Sequence, residues 1–386
     1  MSDGTYDVVV IGAGSVGVPT ALSMAQAGLD VLVVDRAASP GQGSQKAAIG
    51  GVRATHSDPA KIALSLRSLE VFSTWEATYG QDIEWTQGGY TFVAYREAEA
   101  HLLKELLTVQ HHYGLDIDWL DAPGLLEVAP DLNPDGLLGG TFSPGDGHCS
   151  TLLAGHAAYE EARRAGASFR FGENVVRIDT HGDRVSGVTT EKAVYAAPVV
   201  LNAAGAWAGE VGAAIGASHP IRPDAHEAGI TEPVATFLRP LVVDIRPSPG
   251  AVNCYFYQLA TGQVVFCLTP DPPIEGFDRR ETSTFLPLVS RRMVTLLPRL
   301  AHLRVRRTWR GLYPMTPDGS PLVGWSPPAH GYLVAIGMCG QGFMLGPGIG
   351  ELLTRLVTQS ELSSADREVL STLAPTREFR GQEKLQ

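Results

Sequence analysis

The chain is poor in charge, at 18% of its 386 residues, and nowhere gathers lysine or arginine into a cluster. With a net charge of −11 this disfavours a nucleic-acid partner. No run of apolar residues approaches the roughly 18–20 needed to cross a bilayer. The opening MSDGTYD is acidic where a signal peptide is basic, so a cytoplasmic protein is expected. The four cysteines, Cys149, Cys254, Cys267 and Cys339, form no C-x-x-C pair. They read as reduced thiols, not as a disulfide frame or a metal site. Internal repeats and low-complexity tracts are also missing. What remains is the composition of an ordinary globular protein, long enough for two interleaved domains.

Glycine is plentiful, with 43 residues, and its placement carries information. Residues 8–36 read VVVIGAGSVGVPTALSMAQAGLDVLVVDR. An apolar run, Val8–Ile11, suits a strand buried on both faces. Gly12, Gly14 and Gly17 follow in G-x-G-x-x-G spacing. These allow a tight turn, backbone approach to a pyrophosphate, and close helix–strand packing. A helical stretch leads to a second strand closed by Asp35, placed to bind a ribose hydroxyl. The unit predicts a bound dinucleotide and leaves NAD and FAD open.

Further along, residues 39–59 form a long Gly- and Ser-rich loop, the kind that is usually functional. Helices are expected at 60–78, 97–112, 151–165 and 283–298, and strands at 85–94, 168–171, 175–178 and 185–190. VVLNAAG, ending at Gly205 with Trp207 just beyond, would return a second strand to the nucleotide. Segments starting at Gly229, Arg239, Asn253 and Gly262 suggest an antiparallel layer. A strand at Tyr332–Ile336 opens through a glycine turn into a helix reaching Thr358, again an anion- or ring-binding device. The segment after Pro375 looks loosely structured.

Taken together, VVVIGAGSVG…VVDR, GSQKAAIGGVR, LNAAGAWAG, GLYPMTPDGSPLVG and GMCGQGFMLGPGIGELL resemble the FAD-dependent D-amino-acid-oxidase-like amine oxidoreductases. That group includes glycine oxidase, sarcosine oxidases and their β subunits, and dye-linked proline dehydrogenases. The resemblance implies an α/β fold, with a Rossmann-like FAD-binding domain interleaved with an antiparallel-sheet α+β substrate domain. FAD-binding parts are expected at 1–80, 149–218 and 306–375, substrate-domain parts at 81–148 and 219–305, and a tail at 376–386.

Residue by residue, the resemblance implies that Gly12, Gly14, Ser15, Val16 and Gly17 hold the pyrophosphate. Asp35 would take the ribose, with Arg36 beside the adenine. Ser44, Gln45 and Lys46 would run along the flavin, Val175 would meet the adenine, and Ala203, Gly205 and Trp207 would form the second return. Gly340, Gln341, Gly342, Phe343 and Met344 would lie beneath the pyrimidine end, with the helix dipole favouring the anionic reduced flavin. Gly311 stands where some relatives carry a cysteine tether, which implies non-covalent FAD. On the substrate side Tyr255, Arg53 and Tyr313 are candidates, with Arg53 on the substrate carboxylate. Arg306, Arg307 and Arg310 are further cations to consider, while His226 and Glu227 border the substrate layer.

Relatives place cations where this chain has Tyr313, Gly340, Met344 and Phe266. The implied pocket is therefore less polar. The expected reaction moves hydride from the carbon next to a carboxylate to flavin N5, and the imine then hydrolyses. The favoured substrate is an N-substituted glycine with a hydrophobic arm, giving glyoxylate, an amine and H₂O₂. The alternatives are a sarcosine-oxidase β-subunit-like or proline dehydrogenase component of a complex, an interaction module inactive alone, or an NAD-binding protein. O₂ or another acceptor takes the electrons, and the chain forms a homo-oligomer or a hetero-complex.

Overall fold

The computed structural model describes residues 3–385. Its centre is a six-stranded sheet with strands in the order 322–325, 332–336, 199–202, 8–11, 31–35, 168–171. All neighbours run parallel except the edge pair 322–325 and 332–336. This is a Rossmann-like layer, and its strands alternate between two cores as a pleat requires. Val8, Val10, Val31 and Val33 face the helices Gly17–Gln26, Pro59–Tyr79, Thr151–Arg164 and Gly342–Thr358. Val9, Ile11, Leu32 and Val34 face a four-stranded sheet drawn from residues 4–5 and 175–196.

Glycines bring three of those helices together. A Cβ on Gly346 would lie 1.9 Å from the Ser15 carbonyl oxygen, and one on Gly348 would lie 2.2 Å from that of Leu64. Helix Gly342–Thr358 therefore packs backbone to backbone on the two helices that follow the nucleotide turn and the 39–59 loop.

The second layer is an eight-stranded sheet in the order 305–315, 222–231, 264–270, 251–258, 241–244, 90–94, 139–143, 118–121. It is antiparallel except where 241–244 meets 90–94. One face packs Cys254, Phe256, Val264, Phe266 and Leu268 against helix Phe285–Leu296. The opposite face looks back toward the first sheet.

Three readings of the sequence are corrected by these elements, and one unassigned stretch is placed. The strand at 85–94 is confined to Tyr90–Ala94, because Gly89 takes φ +82° and turns the chain before it. The segment placed from Gly229 onward is the end of a strand running Arg222–Thr231. GLYPM, to which the sequence assigned no element, lies inside the strand Val305–Met315. Beyond Pro375 the chain carries no helix or strand up to residue 385, yet it is anchored: Glu383 and Leu385 are buried and Arg377 pairs with Asp318 at 2.9 Å.

Candidate active site

A cavity of about 1130 Å³ lies between the two sheets. That exceeds the roughly 300–1,000 Å³ of ordinary small-ligand sites and suits a dinucleotide with a substrate. At one end, Gly12, Gly14, Ser15 and Val16 line it, and an added Cβ on Gly14 would meet nothing within 4 Å. Gly12 is tighter: its Cβ would sit 2.6 Å from the Ala203 carbonyl oxygen, where the second strand returns. Gly17 does not line the cavity. It lies beneath the turn, where a Cβ would come 1.9 Å from the Gly12 oxygen. Asp35 accepts from the backbone N–H of Ala13 and of Ala37, both at 2.7 Å, which ties the turn to the second strand. Its oxygens keep lone pairs for a ribose hydroxyl.

Arg36, Val175, Ala203, Gly205 and Trp207 also face this end. The Arg36 guanidinium lies 4.2 Å over the Trp207 ring, and Phe277 stacks on the same ring at 5.6 Å. In the 39–59 loop, Ser44 Oγ donates to Leu312 O at 2.7 Å and Gln45 Nε2 donates to Thr151 O at 3.1 Å. Lys46 is exposed and donates to Gln42. Gly311, Gly340, Gln341, Gly342, Phe343 and Met344 line the middle of the cavity, at the N-terminus of helix Gly342–Thr358. Gln341 is held from behind, its Oε1 accepting from Lys61 Nζ at 2.8 Å. The open face at Gly14, the free helix N-terminus and the elongated cavity together fit an FAD, whose phosphates and ring want backbone donors at those two places.

The other end of the cavity is aromatic and apolar, with Tyr90, Phe92, Val243, Ala228 and Ile49 in its wall. Tyr255 and Tyr313 both line it and share a hydrogen bond of 2.8 Å between their hydroxyls. Burial, then the nearby Cys267, raises both phenols above their ordinary value; Tyr313 raises Tyr255 further, whereas the hydrogen bond with Tyr255 partly offsets the rise at Tyr313. Burial likewise lifts the Cys267 thiol to about 11. His226 stacks on Tyr313 at 3.8 Å, and its Nε2 lies 3.0 Å from Asp224 Oδ2. Burial pushes the Asp224 carboxyl up, but the contact with His226 and backbone N–H donors outweigh it and hold the group below its usual range. The His226 Nδ1 has no partner among the described residues.

Arg53 lines the cavity too, though much of its guanidinium is committed. Nη1 donates to Thr55 O and meets His56 Nδ1 at 3.2 Å, and Nη2 donates to Leu385 O. Arg306, Arg307 and Arg310 do not reach the cavity; Arg310 Nη1 donates to Arg280 O instead. Nor does Phe266, which packs on Phe285 on the far face of its strand; Cys267, one residue on, faces the site. Glu227 accepts from Thr282 N at 2.8 Å and stays outside. Sequence reasoning named His226 at the border of the substrate layer but passed over its partner Asp224, as well as Arg279 and Cys267 as residues of the site. The Asp-x-His spacing on a strand, which puts both side chains on one face, was the one signal available for that pair.

No group of His, Cys, Asp and Glu among the described residues could hold a metal ion. No helix among them is long and apolar enough to cross a membrane.

The chain belongs to the FAD dependent oxidoreductase (DAO) family, whose model matches residues 7–356. It is an FAD-dependent oxidoreductase. Among curated relatives, the glycine oxidase of Geobacillus kaustophilus is 28% identical over 92% of this chain and 94% of its own length. Among solved structures, the L-proline dehydrogenase of P. horikoshii superposes with a TM-score of 0.89 at 28% identity, covering 96% of this chain and 97% of that one. The glycine oxidase of Geobacillus kaustophilus gives 0.86 at 26% identity, covering 97% of this chain and 100% of that one.

Proposed function

We propose that the protein oxidises a secondary amine that carries a carboxylate, with an N-substituted glycine bearing a hydrophobic arm as the favoured substrate. The reading rests on one juxtaposition: Arg53 beside an aromatic and apolar wall at the end of the cavity away from the nucleotide turn. Met344 and Tyr313, both in the wall, add to its apolar character. Phe266 does not contribute, so Phe92 and Val243 carry the argument in its place. The curated relatives include glycine oxidase and the dimethylglycine and sarcosine dehydrogenases, all named for glycine or its N-substituted forms.

Bound FAD supplies the two-electron acceptor. Gly14, the turn around it, and the helix N-terminus at Gly342 would hold that group. Arg53 would orient the substrate by its carboxylate, and fixing the C–H in this way is the protein's main contribution to rate. The wall of Phe92, Val243 and Ala228 excludes water and receives the arm. The joined hydroxyls of Tyr255 and Tyr313, backed by His226, offer a hydrogen-bond donor to the carboxylate or an acceptor to the amine. Water then divides the imine into glyoxylate and the free amine. Two electrons and two protons leave to O₂, giving H₂O₂, or to another acceptor. Gly311 offers no thiol, so FAD is held without a covalent bond at that position.

The structural likeness to L-proline dehydrogenase favours proline as a second reading, since it too is a secondary amine with a carboxylate. The deciding test is the visible spectrum of the purified protein, followed without air as N-alkylglycines, glycine, sarcosine and proline are added. Flavin bands should bleach fastest with a longer N-alkylglycine. Faster bleaching by glycine or sarcosine would sink the favoured reading, and faster bleaching by proline would establish the second.

Because both phenols are raised above the ordinary tyrosine value of about 10, they stay protonated where the enzyme works. The rise of kcat/KM with pH should therefore follow deprotonation of the substrate amine. Tyr255→Phe is expected to lower kcat/KM by about tenfold, the worth of one hydrogen bond in a buried site, while keeping the shape of that profile. A profile that loses its rising limb would make the tyrosine the titrating group instead.

A further inference from the structure

Residues 383–385 lie far in sequence from the site and do not line it, but they pack behind Arg53, which does. Glu383 is buried and its carboxylate is fully engaged. Oε2 pairs with Lys61 Nζ at 2.9 Å and accepts from Asp58 N at 3.2 Å. Oε1 accepts from Ser57 N at 2.9 Å, Ser57 Oγ at 2.7 Å and Leu385 N at 3.0 Å. Lys384 N donates back to Ser57 Oγ at 2.9 Å. The Leu385 side chain is wholly buried in the cluster that holds Tyr90 and Phe92, and its carbonyl accepts from Arg53 Nη2.

The consequence falls on Arg53. Both Nη1 protons have acceptors in Thr55 O and His56 Nδ1. Burial first, then the charges of Arg53 and Lys61, keep His56 well below its ordinary value, so it is neutral and able to accept. Its Nε2 meets Ser65 Oγ at 3.1 Å, which assigns the proton to that nitrogen. One Nη2 proton goes to Leu385. Nε–H and the remaining Nη2 proton are then without a hydrogen-bond partner among the described residues. Nε with Nη2 is the pair this chain uses to grip carboxylates elsewhere: Arg67 on Glu351 at 3.0 and 2.7 Å, Arg96 on Glu99 at 3.0 and 2.6 Å, Arg355 on Asp366 at 2.9 and 2.7 Å.

We propose that Glu383 and Leu385 are positioning residues for substrate: Glu383 anchors the segment to Lys61 and the start of helix Pro59–Tyr79, and Leu385 holds the terminal edge of Arg53 so that its Nε side is left to grip the substrate carboxylate. This deepens the proposed function and rests on its reading of Arg53. A guanidinium fixed in this way presents a rigid fork, which recognises a planar carboxylate better than a mobile cation does. The segment 383–385 thus sets selectivity for acids over neutral amines without touching the substrate.

The test compares N-propylglycine with its uncharged primary amide in the purified FAD-loaded protein, measuring Kd from the flavin absorbance change. Leu385→Ala keeps every polar partner of Glu383 but loosens the carbonyl that holds Arg53, and Glu383→Gln keeps the shape and removes the charge. Each should reduce the preference for the acid over the amide by about tenfold, the scale of one charge-assisted hydrogen bond, with affinity falling by more than the saturating rate. Arg53→Lys should reduce it at least as far. If Arg53→Lys reduces the preference and the two segment variants leave it at the wild-type value, the positioning role is overturned while the reading of Arg53 stands. If Arg53→Lys leaves it unchanged as well, the site reading itself has failed. Should Glu383→Gln not fold, Leu385→Ala decides alone.

Discussion

Replacing Lys61 with methionine is expected to destabilise the protein by about 3–5 kcal/mol, the usual cost of removing one partner from a buried ion pair. Both side chains of the Lys61–Glu383 pair have no exposed surface. The substitution would leave the Glu383 carboxylate buried without its counter-charge. It would also strip the donor from Gln341 Oε1 and from Gly319 O. The double variant Lys61→Met/Glu383→Leu removes the orphaned charge, but it leaves the Ser57, Asp58 and Leu385 N–H donors without their acceptor, so it should recover only part of the loss. Denaturant midpoints of the three proteins check this, and a single variant costing under about 1 kcal/mol would place the pair among weak surface-type bridges.

The pH dependence has a definite sign. Burial raises the Glu383 carboxyl, but the Lys61 charge and its hydrogen bonds outweigh that and hold it well below the ordinary range. A lowered folded-state value adds stability that is complete above the unfolded carboxylate value of about 4.3. That stability is lost as pH falls through the lowered value. In Lys61→Met this acid-side loss of stability should shrink.

Gly346→Ala is expected to weaken FAD binding by about tenfold to a hundredfold. Its Cβ would meet the Ser15 carbonyl oxygen at 1.9 Å, with backbone on both sides and no flexible side chain to yield. Either helix Gly342–Thr358 retreats, taking Gly340–Gly342 away from the ring, or the turn around Ser15 shifts away from the phosphates. Overpacking of this kind costs about 1–3 kcal/mol, and here the strain falls on two of the places that would hold the cofactor. Titrating apoprotein with FAD and following the quenching of flavin fluorescence measures the effect. Binding of wild-type strength would show that the two helices slide apart freely.

The nucleotide-binding half could be read from the sequence because its signals are local. Val8 through Asp35 holds strand, turn, helix and acid within one stretch, and the structure has them as Val8–Ile11, Gly17–Gln26 and Val31–Asp35. The helix reaching Thr358 was equally plain from its glycine turn. Strand Val305–Met315 was not, since Gly311 and Pro314 are residues that strands avoid. Phe266 was placed in the pocket by alignment, yet a strand puts successive residues on opposite faces, and one position decides which side sees the substrate. The segment after Pro375 looked loose by composition. What anchors it is a charge pair between Lys61 and Glu383, and no local pattern announces a partner so distant.

The order of strands in the six-stranded sheet has a consequence for biosynthesis. Val8–Ile11 pairs on one side with 31–35 soon after it is made, but its other edge waits for 199–202, which in turn waits for 332–336. At about 5–20 residues per second of translation, that wait is on the order of tens of seconds. Through it an apolar strand presents an open edge, the feature most prone to wrong pairing. The eight-stranded sheet is no better placed, since 90–94 waits for 241–244. Neither layer is drawn from one continuous stretch of sequence, so each keeps an open edge until its later strands have been made.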